Sequence, residues 1–377
     1  MRIQKIHPIT QINFYGKIID SHMHTGHWTE NGQRYDYTSE IDRFIKSPLE
    51  NGDEIEKVIV SNLDCIEHKS KTEKGIEFFH NEIDGNKALL ALAEKNKQIV
   101  PLITCQPGYG NAENIEKLIN ENPNKFGGFK FHPEQLELAA NSESYYPYME
   151  LAQKYKLPCL FHSHRSFDVD YGNGNINKAC KFSRPSQVYE LAKKYPDVNV
   201  VLAHWGGDGE KNIDEVTKYI IESVKTNNSK LYADISWVDC ETQAKPNIKR
   251  IISELKKENA LDRILFGTDA PLGRFGRNGA NGISPEKHYS NYVNDIKAMI
   301  KKEFPEEADS IIDRLFHDNA ENLFIKHLDS NVPTAGDKSL KIIWGTAIIG
   351  GLITAGIINF FISKTKKTPV KPLPSEI

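Results

Sequence analysis

The sequence predicts an α/β protein, a (β/α)8 TIM barrel followed by a C-terminal transmembrane helix. Two observations predict the barrel: short apolar runs rich in β-branched residues alternate with segments of helical composition, and histidines and an aspartate recur where those runs end. Strands that alternate with helices form a parallel sheet, and eight such units close into a barrel. A third observation, the uncharged stretch 342–362, predicts the membrane span.

The predicted strands follow one another along the chain. They are Lys17–His22, Lys57–Ser61, Gln98–Thr104, Gly127–His132, Pro158–His162, Asn199–His204, Lys230–Ser236 and Arg263–Thr268. The predicted helices between them are Gly75–Lys97, Ala112–Asn122, Tyr145–Lys156, Pro185–Tyr195, Asn212–Thr226 and Pro246–Glu258. A doubly wound sheet is the alternative, but it usually carries a glycine-rich phosphate-binding turn after its first strand. His22, Met23 and His24 occupy that position, which favours the barrel.

Composition excludes several classes of protein. The 377 residues have a net charge of −3 and a pI near 6.5, whereas nucleic-acid-binding domains usually carry a concentrated basic face. The five cysteines are odd in number and form no CxxC pair, which indicates reduced thiols rather than a disulfide framework or a thiolate zinc site. Residues 1–16 lack a continuous apolar core, so no secretory signal is predicted.

The first predicted strand ends in His22 and His24, one residue apart. Alternate side chains of a strand share a face, so both imidazoles could reach one metal ion. Polar side chains also stand at the ends of later strands: Lys130, His132, His162, His164, His204 and Asp269. The carboxyl ends of the strands form the active-site face of such a barrel. The pattern therefore predicts a metal-dependent active site.

These residues resemble the metal-dependent amidohydrolase superfamily, and within it the amidohydrolase-related group that includes decarboxylases of the aminocarboxymuconate-semialdehyde type. The matching segments are IIDSHMH at 18–24, GGFKFHP at 127–133, LPCLFHSH at 157–164, VVLAHWGG at 200–207, ILFGTDAP at 264–271 and DNAENLF at 318–324. The resemblance spans about residues 17–328 in the family's own order. It implies a barrel of the metal-dependent hydrolase type.

The resemblance implies a role for each matching residue. His22, His24 and His162 correspond to metal ligands, and Asp269 to a ligand that also transfers protons. His204 corresponds to a residue that binds the metal in some relatives and polarises substrate or water in mononuclear ones, so it is predicted to be catalytic together with Asp269. Three imidazoles and one carboxylate suit one divalent ion, with zinc expected first and manganese or iron as alternatives.

Other residues at the strand ends have more than one interpretation. Lys130, His132, His164 and Trp205 are predicted to contact substrate. A lysine at the position of Lys130 is carboxylated in binuclear relatives, where it bridges two metals, so one ion and two ions are both compatible with the sequence. His162 is favoured over His164 as the ligand because it directly follows the apolar run. A core histidine bonded to a backbone carbonyl is the alternative for His204.

Two loops are predicted to cover the site. The loop 25–37 carries Arg34, and the loop 271–282 carries Arg274 and Arg277. These arginines could bind a substrate carboxylate. Loops without a function in catalysis are the alternative.

The C-terminal part is predicted to anchor the protein in a membrane. The domains are 1–328, the barrel; 329–341, a linker; 342–362, the transmembrane helix; and 363–377, a short basic tail. Lysines flank the span, as interfacial anchors do. Because no secretory signal is predicted, the barrel is expected on the cytoplasmic side. Ala347, Gly351 and Ala355 form a small-residue stripe that could support a homodimer.

Function is predicted from the site and the tail together. The main prediction is a membrane-anchored metal-dependent hydrolase, in which metal-activated water attacks a small amide, lactone or ester. Non-oxidative decarboxylation of a small aromatic or unsaturated carboxylic acid at the same site is the alternative. A non-catalytic membrane-bound scaffold is a further one, against which the complete set of ligands argues.

Overall fold

The structure is a computed structural model of the whole chain. The residues that it describes are 16–30, 32–47, 49, 52–73, 75–164, 181–207, 210–275 and 282–329. The predicted span 342–362, with its small-residue stripe, and the basic tail 363–377 lie outside these ranges, as do Cys180 and Arg277.

The strands are numbered in chain order. They are β1 Lys17–Thr25, β2 His27–Glu30, β3 Gln33–Asp36, β4 Glu54–Asn62, β5 His68–Thr72, β6 Gly75–Phe78, β7 Ile99–Thr104, β8 Gly128–Phe131, β9 Cys159–Phe161, β10 Asn199–Leu202, β11 Lys230–Asp234 and β12 Ile264–Leu265. Eight of them form one parallel sheet in the order β1, β4, β7, β8, β9, β10, β11, β12. The pairs β2–β3 and β5–β6 are separate antiparallel hairpins.

The helices lie between and after these strands. They are α1 Thr38–Lys46, α2 Glu82–Lys95, α3 Ala112–Glu121, α4 Pro133–Leu136, α5 Tyr146–Tyr155, α6 Pro185–Lys194, α7 Glu210–Thr226, α8 Pro246–Lys257, α9 Pro285–Glu303, α10 Ala308–Asp313 and α11 Lys326–Asp329. Each of the eight predicted strands overlaps a strand of the sheet, and each predicted helix overlaps a helix.

The sheet closes into a barrel because its last strand returns beside its first. The amide of Ser21 donates to the carbonyl of Phe266 at 2.9 Å, and the amide of Asp269 donates to the carbonyl of His22 at 2.8 Å. The side chain of Asn319 donates to the carbonyls of Leu261 and Ile264, both at 2.8 Å, and so holds the chain on either side of the start of β12. The predicted eight-stranded barrel is confirmed.

A bulge in β1 directs the first two histidines into the barrel. Asp20 and Met23 pair with Val58 and Val60 of β4, so β1 carries one more residue than its partner over this stretch. Residues four apart in a regular strand share a face, yet Ile19 packs in the barrel interior while Met23 packs in the outer core with the helices. The extra residue changes the alternation of the strand. His22 and His24 can therefore face inward although Ile19 does so too.

The barrel interior is apolar away from the site. Ile19, Leu102, Leu160 and Val201 share a buried cluster with Phe324 from the last helical segment. That segment, 320–325, closes the barrel at the end where the strands begin, since a side chain at Gly127, just before β8, would approach the carbonyl of Phe324. The second buried cluster lies between the strands and the surrounding helices.

One predicted helix begins later than expected. The prediction placed a helix over 75–97, whereas residues 75–78 form β6 and the helix α2 starts at Glu82. The side chain of Asn81 accepts hydrogen bonds from the amides of Ile83 and Asp84, both at 2.9 Å. An asparagine in this position caps the first turn and fixes the helix start.

The predicted membrane localisation is contradicted. Within the described ranges, no helix combines the length and the apolar character that a bilayer crossing requires. The longest, α9, has 19 residues but carries Glu286, Lys287, Asp295, Lys297 and further charges, and each charge at the centre of a membrane is costly. Its apolar residues instead pack against the barrel.

Candidate metal centre

Two histidines of β1 and an aspartate that follows β12 meet at the carboxyl ends of the strands. The Nε2 atom of His22 lies 3.1 Å from Oδ1 of Asp269, and Nε2 of His24 lies 2.8 Å from the same oxygen. All three side chains are buried. Their ligand atoms lie within 4.8 Å of one another, which makes them a candidate metal-binding group.

The opposite nitrogens of the two imidazoles are held by other residues. The Nδ1 atom of His22 lies 3.1 Å from Oδ2 of Asp234, and Nδ1 of His24 lies 2.8 Å from the hydroxyl oxygen of Ser61. Histidine ligands of metals usually have their second nitrogen fixed in this way. Burial lowers the pKa of His24 to about 4, although Asp269 opposes the shift, so its ring is neutral at pH 7.

Asp234 also connects His22 to His204. Its Oδ1 atom accepts from the backbone amide of His204 and from that of Ser236, both at 3.0 Å. Burial would raise the pKa of Asp234, but the adjacent His22 and other donors hold it far below the ordinary value. Since an ionised carboxylate only accepts hydrogen bonds, Nδ1 of His22 directs its N–H at Asp234.

His204 and Asp269 have backbone conformations that L-residues rarely adopt. Their φ angles are 59° and 65°, and Trp237 beside them has 69°. Such angles cost about 1–3 kcal/mol each and cluster at functional sites. The indole N–H of Trp237 donates to Oδ2 of Asp269 at 3.0 Å, and the Ser236 hydroxyl lies 2.8 Å from Nδ1 of His204. The strained positions thus carry side chains that contact one another at the strand ends.

The histidines around Asp269 favour its ionised form. Burial alone would raise the pKa of this carboxyl, but His204, His22 and His24 lower it well below the ordinary value. The ring of His204 is itself neutral, because burial lowers its pKa well below the ordinary range. The site therefore offers a carboxylate oxygen beside imidazole nitrogens, which are the donor types that a borderline divalent ion prefers.

Lys130 is fully buried at the end of β8. Its Nζ atom lies 2.7 Å from Nε2 of His22. Burial lowers the pKa of Lys130 to about 8, partly offset by Asp269 and Asp234. A cation therefore lies beside the nitrogen of His22 that faces the predicted ligand set.

His162 lies in a second group, with His132 and Glu134. The Nε2 atom of His162 lies 3.0 Å from Oε2 of Glu134, and its Nδ1 atom lies 3.1 Å from Nε2 of His204. One ligand atom from each of His132, Glu134 and His162 falls within 4.8 Å of the others. The structure therefore brings His22, His24 and Asp269 together and places His162 next to them, in contact with His204. Its role as a ligand of the same ion stays a prediction.

His164 and Trp205, both predicted to contact substrate, lie in different surroundings. The ring of His164 lies 6.4 Å from that of His162, on the side of Gly207. Trp205 is fully buried in the outer core, and its indole N–H donates to the hydroxyl of Thr217 on α7 at 3.0 Å. The structure therefore does not bring Trp205 into the site.

The first of the two loops predicted to cover the site is an ordered hairpin whose arginine is already paired. Residues 27–36 form the hairpin β2–β3, and Arg34 pairs with Asp64 and, at 2.8 Å, with Glu67. An arginine already paired with two carboxylates has little capacity left for a substrate carboxylate. The second loop lies largely outside the described residues, and the predicted contact of Arg274 and Arg277 with a substrate carboxylate stays a prediction.

Four positions in the site were missed from sequence: Ser61, Glu134, Asp234 and Ser236. Ser61 and Ser236 end two of the predicted strands, and Asp234 stands two residues before Ser236. The rule that found the histidines, polar residues at strand ends, would have found these three as well. Glu134 follows His132 by two residues, a His-x-Glu spacing that carried a signal of its own.

Comparison with known proteins decides the family. The family model described as Amidohydrolase matches residues 79–325. The chain belongs to the amidohydrolase family. The resemblance inferred from the strand-end motifs is confirmed, and the prediction of an enzyme is confirmed with it. No curated protein matches the sequence significantly.

Solved structures share the fold of this amidohydrolase at low sequence identity. A 2,6-dihydroxybenzoate decarboxylase in complex with 2,6-dihydroxybenzoate is 16% identical, with a TM-score of 0.54, covering 84% of this chain and 100% of that one. A 5-carboxyvanillate decarboxylase of Novosphingobium aromaticivorans, complexed with manganese, is 14% identical, with a TM-score of 0.52 and coverage of 83% and 97%. A probable 2-pyrone-4,6-dicarboxylic acid hydrolase of Acinetobacter baumannii is also 14% identical, with a TM-score of 0.50 and coverage of 81% and 98%.

Proposed function

We propose that this amidohydrolase is a divalent-metal-dependent hydrolase that cleaves a small amide, lactone or ester. One observation carries the proposal: Nε2 of His22 and Nε2 of His24 both lie close to Oδ1 of Asp269, at 3.1 and 2.8 Å, at the carboxyl ends of barrel strands. The far nitrogens of both rings have their own partners. The residues present therefore fit a divalent ion.

His22, His24 and Asp269 would hold the ion, with His162 as the predicted fourth ligand. An ion there supplies Lewis acidity, which polarises a carbonyl and lowers the pKa of a water molecule. Zinc, manganese and iron all suit imidazole and carboxylate ligands. Manganese is the ion named in the 5-carboxyvanillate decarboxylase structure, and zinc is the ion that the sequence favoured.

Asp269 is the proposed general base. It is ionised, and its Oδ2 atom is held by the indole N–H of Trp237 at 3.0 Å. A carboxylate oxygen keeps a second lone pair after one hydrogen bond. Oδ2 can accept the proton of the attacking water as the new C–O bond forms, and return it to the amine or alcohol as that group leaves. Proton transfer of this kind contributes about 10²–10⁴-fold to a rate.

His204 is proposed to stabilise the oxyanion that develops on the carbonyl. Its ring is neutral and held from one side by Ser236 at 2.8 Å, while Nε2 points towards His162 at 3.1 Å. A donor fixed before the reaction begins costs no reorganisation in the transition state. The left-handed backbone at His204 places the ring between the two histidine groups.

Decarboxylation is the second candidate, and Lys130 is the observation that favours it. A buried ammonium close to His22 can bind a substrate carboxylate. Two of the similar structures are decarboxylases of hydroxylated aromatic acids. In that reaction the C–C bond to the carboxylate breaks, carbon dioxide leaves, and a proton takes its place on the carbon.

Metal analysis followed by a substrate screen tests the proposal. The purified full chain is expected to hold a transition metal, and the Asp269→Asn variant to lose it. The chain is then assayed on lactones, esters, amides and hydroxylated aromatic acids, with titration of released acid for lactones and esters, detection of released amine for amides, and detection of carbon dioxide. Acid or amine release without carbon dioxide supports hydrolysis, and carbon dioxide release identifies the decarboxylase. Full metal content in Asp269→Asn contradicts the site.

A further inference from the structure

A carboxylate of α4 contacts the ring of His162 at its outer nitrogen. Glu134 lies in the first turn of α4, which begins directly after His132. Its Oε2 atom lies 3.0 Å from Nε2 of His162. The hydroxyl of Ser183, which is fully buried, donates to Oε1 of Glu134 at 2.8 Å. The carboxylate therefore has one oxygen anchored and the other directed at the ring of His162.

This contact leaves Nδ1 of His162 on the side of the proposed metal ligands. Burial would raise the pKa of Glu134, but His162 and Ser183 lower it to about 2. Since an ionised carboxylate only accepts hydrogen bonds, Nε2 of His162 directs its N–H at Glu134. Nδ1 lies 3.1 Å from Nε2 of His204, whose ring lies 5.0 Å from that of His22.

His132 contacts the same ring on its face. The rings of His132 and His162 lie 4.0 Å apart and nearly parallel, at 12°. Nitrogen lone pairs lie in the plane of each ring, so two parallel stacked rings do not direct them at one point. The buried Nδ1 atom of His132 has no hydrogen-bond partner among the described residues. The contact of His132 with His162 is therefore one of ring faces.

We infer that His132 and Glu134 position His162 for the ion, Glu134 by fixing the ring in its plane and His132 by packing against its face. The inference rests on the proposed function, in which His162 is the predicted fourth ligand. The outer nitrogens of His22 and His24 have partners of the same kind. Such partners orient a metal ligand and raise its basicity, and the loss of one costs about 10–100-fold in metal affinity.

A double-mutant cycle on the full chain tests the role of Glu134. The dissociation constant for Mn²⁺ is measured by competition with a chelator. Glu134→Ala is expected to weaken Mn²⁺ binding about 10–100-fold. In the His162→Ala background the same change is expected to have no further effect, because Glu134 acts through that ring. The matched control is Glu137→Ala, at an exposed residue after α4 that pairs with Lys71, and it should leave the affinity unchanged.

Bound Co²⁺ gives a second readout, because its visible absorption reports the geometry of its ligands. At saturating Co²⁺ the spectrum is expected to change in Glu134→Ala and to stay as in the wild type in Glu137→Ala. Equal losses of Mn²⁺ affinity in both backgrounds of the cycle, or an unchanged Co²⁺ spectrum in Glu134→Ala, overturn the inference. Circular dichroism on each variant verifies that it is folded.

His132→Phe distinguishes a stacking residue from a metal ligand. Phenylalanine keeps a flat ring against His162 but has no nitrogen that could bind an ion. The variant is expected to bind Mn²⁺ as the wild type does, whereas His132→Ala is expected to bind it about two- to tenfold more weakly. Loss of a bound ion in His132→Phe would make His132 a ligand and overturn its positioning role.

Asp269→Asn separates this inference from the proposed function. Loss of metal in Asp269→Asn, together with unchanged Mn²⁺ affinity in Glu134→Ala and His162→Ala, leaves the proposed function standing and overturns the inference. Full metal content in Asp269→Asn, together with weakened binding in Glu134→Ala and His162→Ala, supports the inference and contradicts the place of Asp269 in the site.

Discussion

The two ends of the barrel interior differ in chemistry although the same strands line both. Where the strands begin, Ile19, Leu102 and Leu160 pack with Phe324 in a buried apolar cluster. Where they end, buried polar groups fill the space, among them His22, Lys130, Asp234 and Asp269. In β1, only two residues separate the apolar Ile19 from His22, and a bulge lies between them.

The difference separates what stabilises the protein from what performs its chemistry. Burial of apolar surface stabilises the fold by roughly 25 cal/mol per Å², whereas buried charges cost free energy unless they are paired. Substitutions at the apolar end are therefore expected to lower the free energy of unfolding. Conservative substitutions at the polar end are expected to lower metal binding and activity while the protein stays folded.

The strongest test of this separation is Asp269→Asn. The variant keeps the shape of the side chain but loses the charge that attracts an ion and the base that accepts a proton. We expect loss of the ion and a decrease in kcat on the order of 10²–10⁴-fold, with little change in thermal stability. Bound metal, turnover and thermal unfolding are measured side by side. Asp262→Asn, a half-exposed aspartate just before β12, is the matched control, and an equal loss of activity there would contradict the assignment.

The opposite test is Leu102→Ala. Leu102 lies in the apolar cluster on β7, a strand that contributes no side chain to either histidine group. Removing a buried leucine side chain costs about 2–5 kcal/mol. We expect the free energy of unfolding in urea to fall by that amount while the folded protein binds metal as before. Leu92→Ala, at a half-buried position on α2, should cost much less. A metal-binding defect in Leu102→Ala would show that the two ends are coupled.

The apolar end could be predicted from sequence, because eight β-branched runs separated by helices leave few alternatives for the fold. The strand positions follow from that pattern, and so does the filled barrel. The bulge in β1 could not be predicted, since it depends on which residues of β4 pair with Asp20 and Met23. The late start of α2 was in principle visible in Asn81, a residue that favours the helix cap.

At the polar end the sequence identified side chains but not their partners. His22, His24 and Asp269 were predicted to meet, and the structure places them together. Asp234 is far from His22 in the chain, and only the barrel brings its carboxylate to Nδ1 of that ring. Trp205 was expected at the site, but the left-handed backbone at His204 and Trp205 lets the indole pack into the outer core. Local backbone geometry of that kind is set by tertiary packing.

Asp234→Asn tests whether the polar end depends on contacts behind the ligands. The carboxylate holds Nδ1 of His22 at 3.1 Å and the backbone amide of His204 at 3.0 Å. An asparagine can accept with only one of its two atoms, so His22 loses its fixed orientation. We expect the affinity for the ion to fall by about 10–100-fold, measured by competition with a chelator. Asp197→Asn, on the exposed surface, should leave affinity unchanged, and an unchanged affinity in Asp234→Asn would assign Asp234 to structure alone.

Ser61→Ala is the mildest change at this end. The Ser61 hydroxyl lies 2.8 Å from Nδ1 of His24, whose Nε2 lies 2.8 Å from Asp269. Binding an ion through Nε2 requires the proton to sit on Nδ1, and a hydroxyl can accept from that position as readily as it can donate to it. Removing it leaves a buried N–H without a partner, at a cost of about 1 kcal/mol.

That cost corresponds to a roughly fivefold lower affinity for the ion, because 1.4 kcal/mol of binding free energy is a factor of ten in affinity. The expected result is a small loss of metal affinity in Ser61→Ala with an unchanged number of bound ions, measured by the same competition. Ser61→Thr restores the hydroxyl on a residue that strands favour and should recover the affinity. If Ser61→Thr binds the ion no better than Ser61→Ala, the hydroxyl does not orient His24.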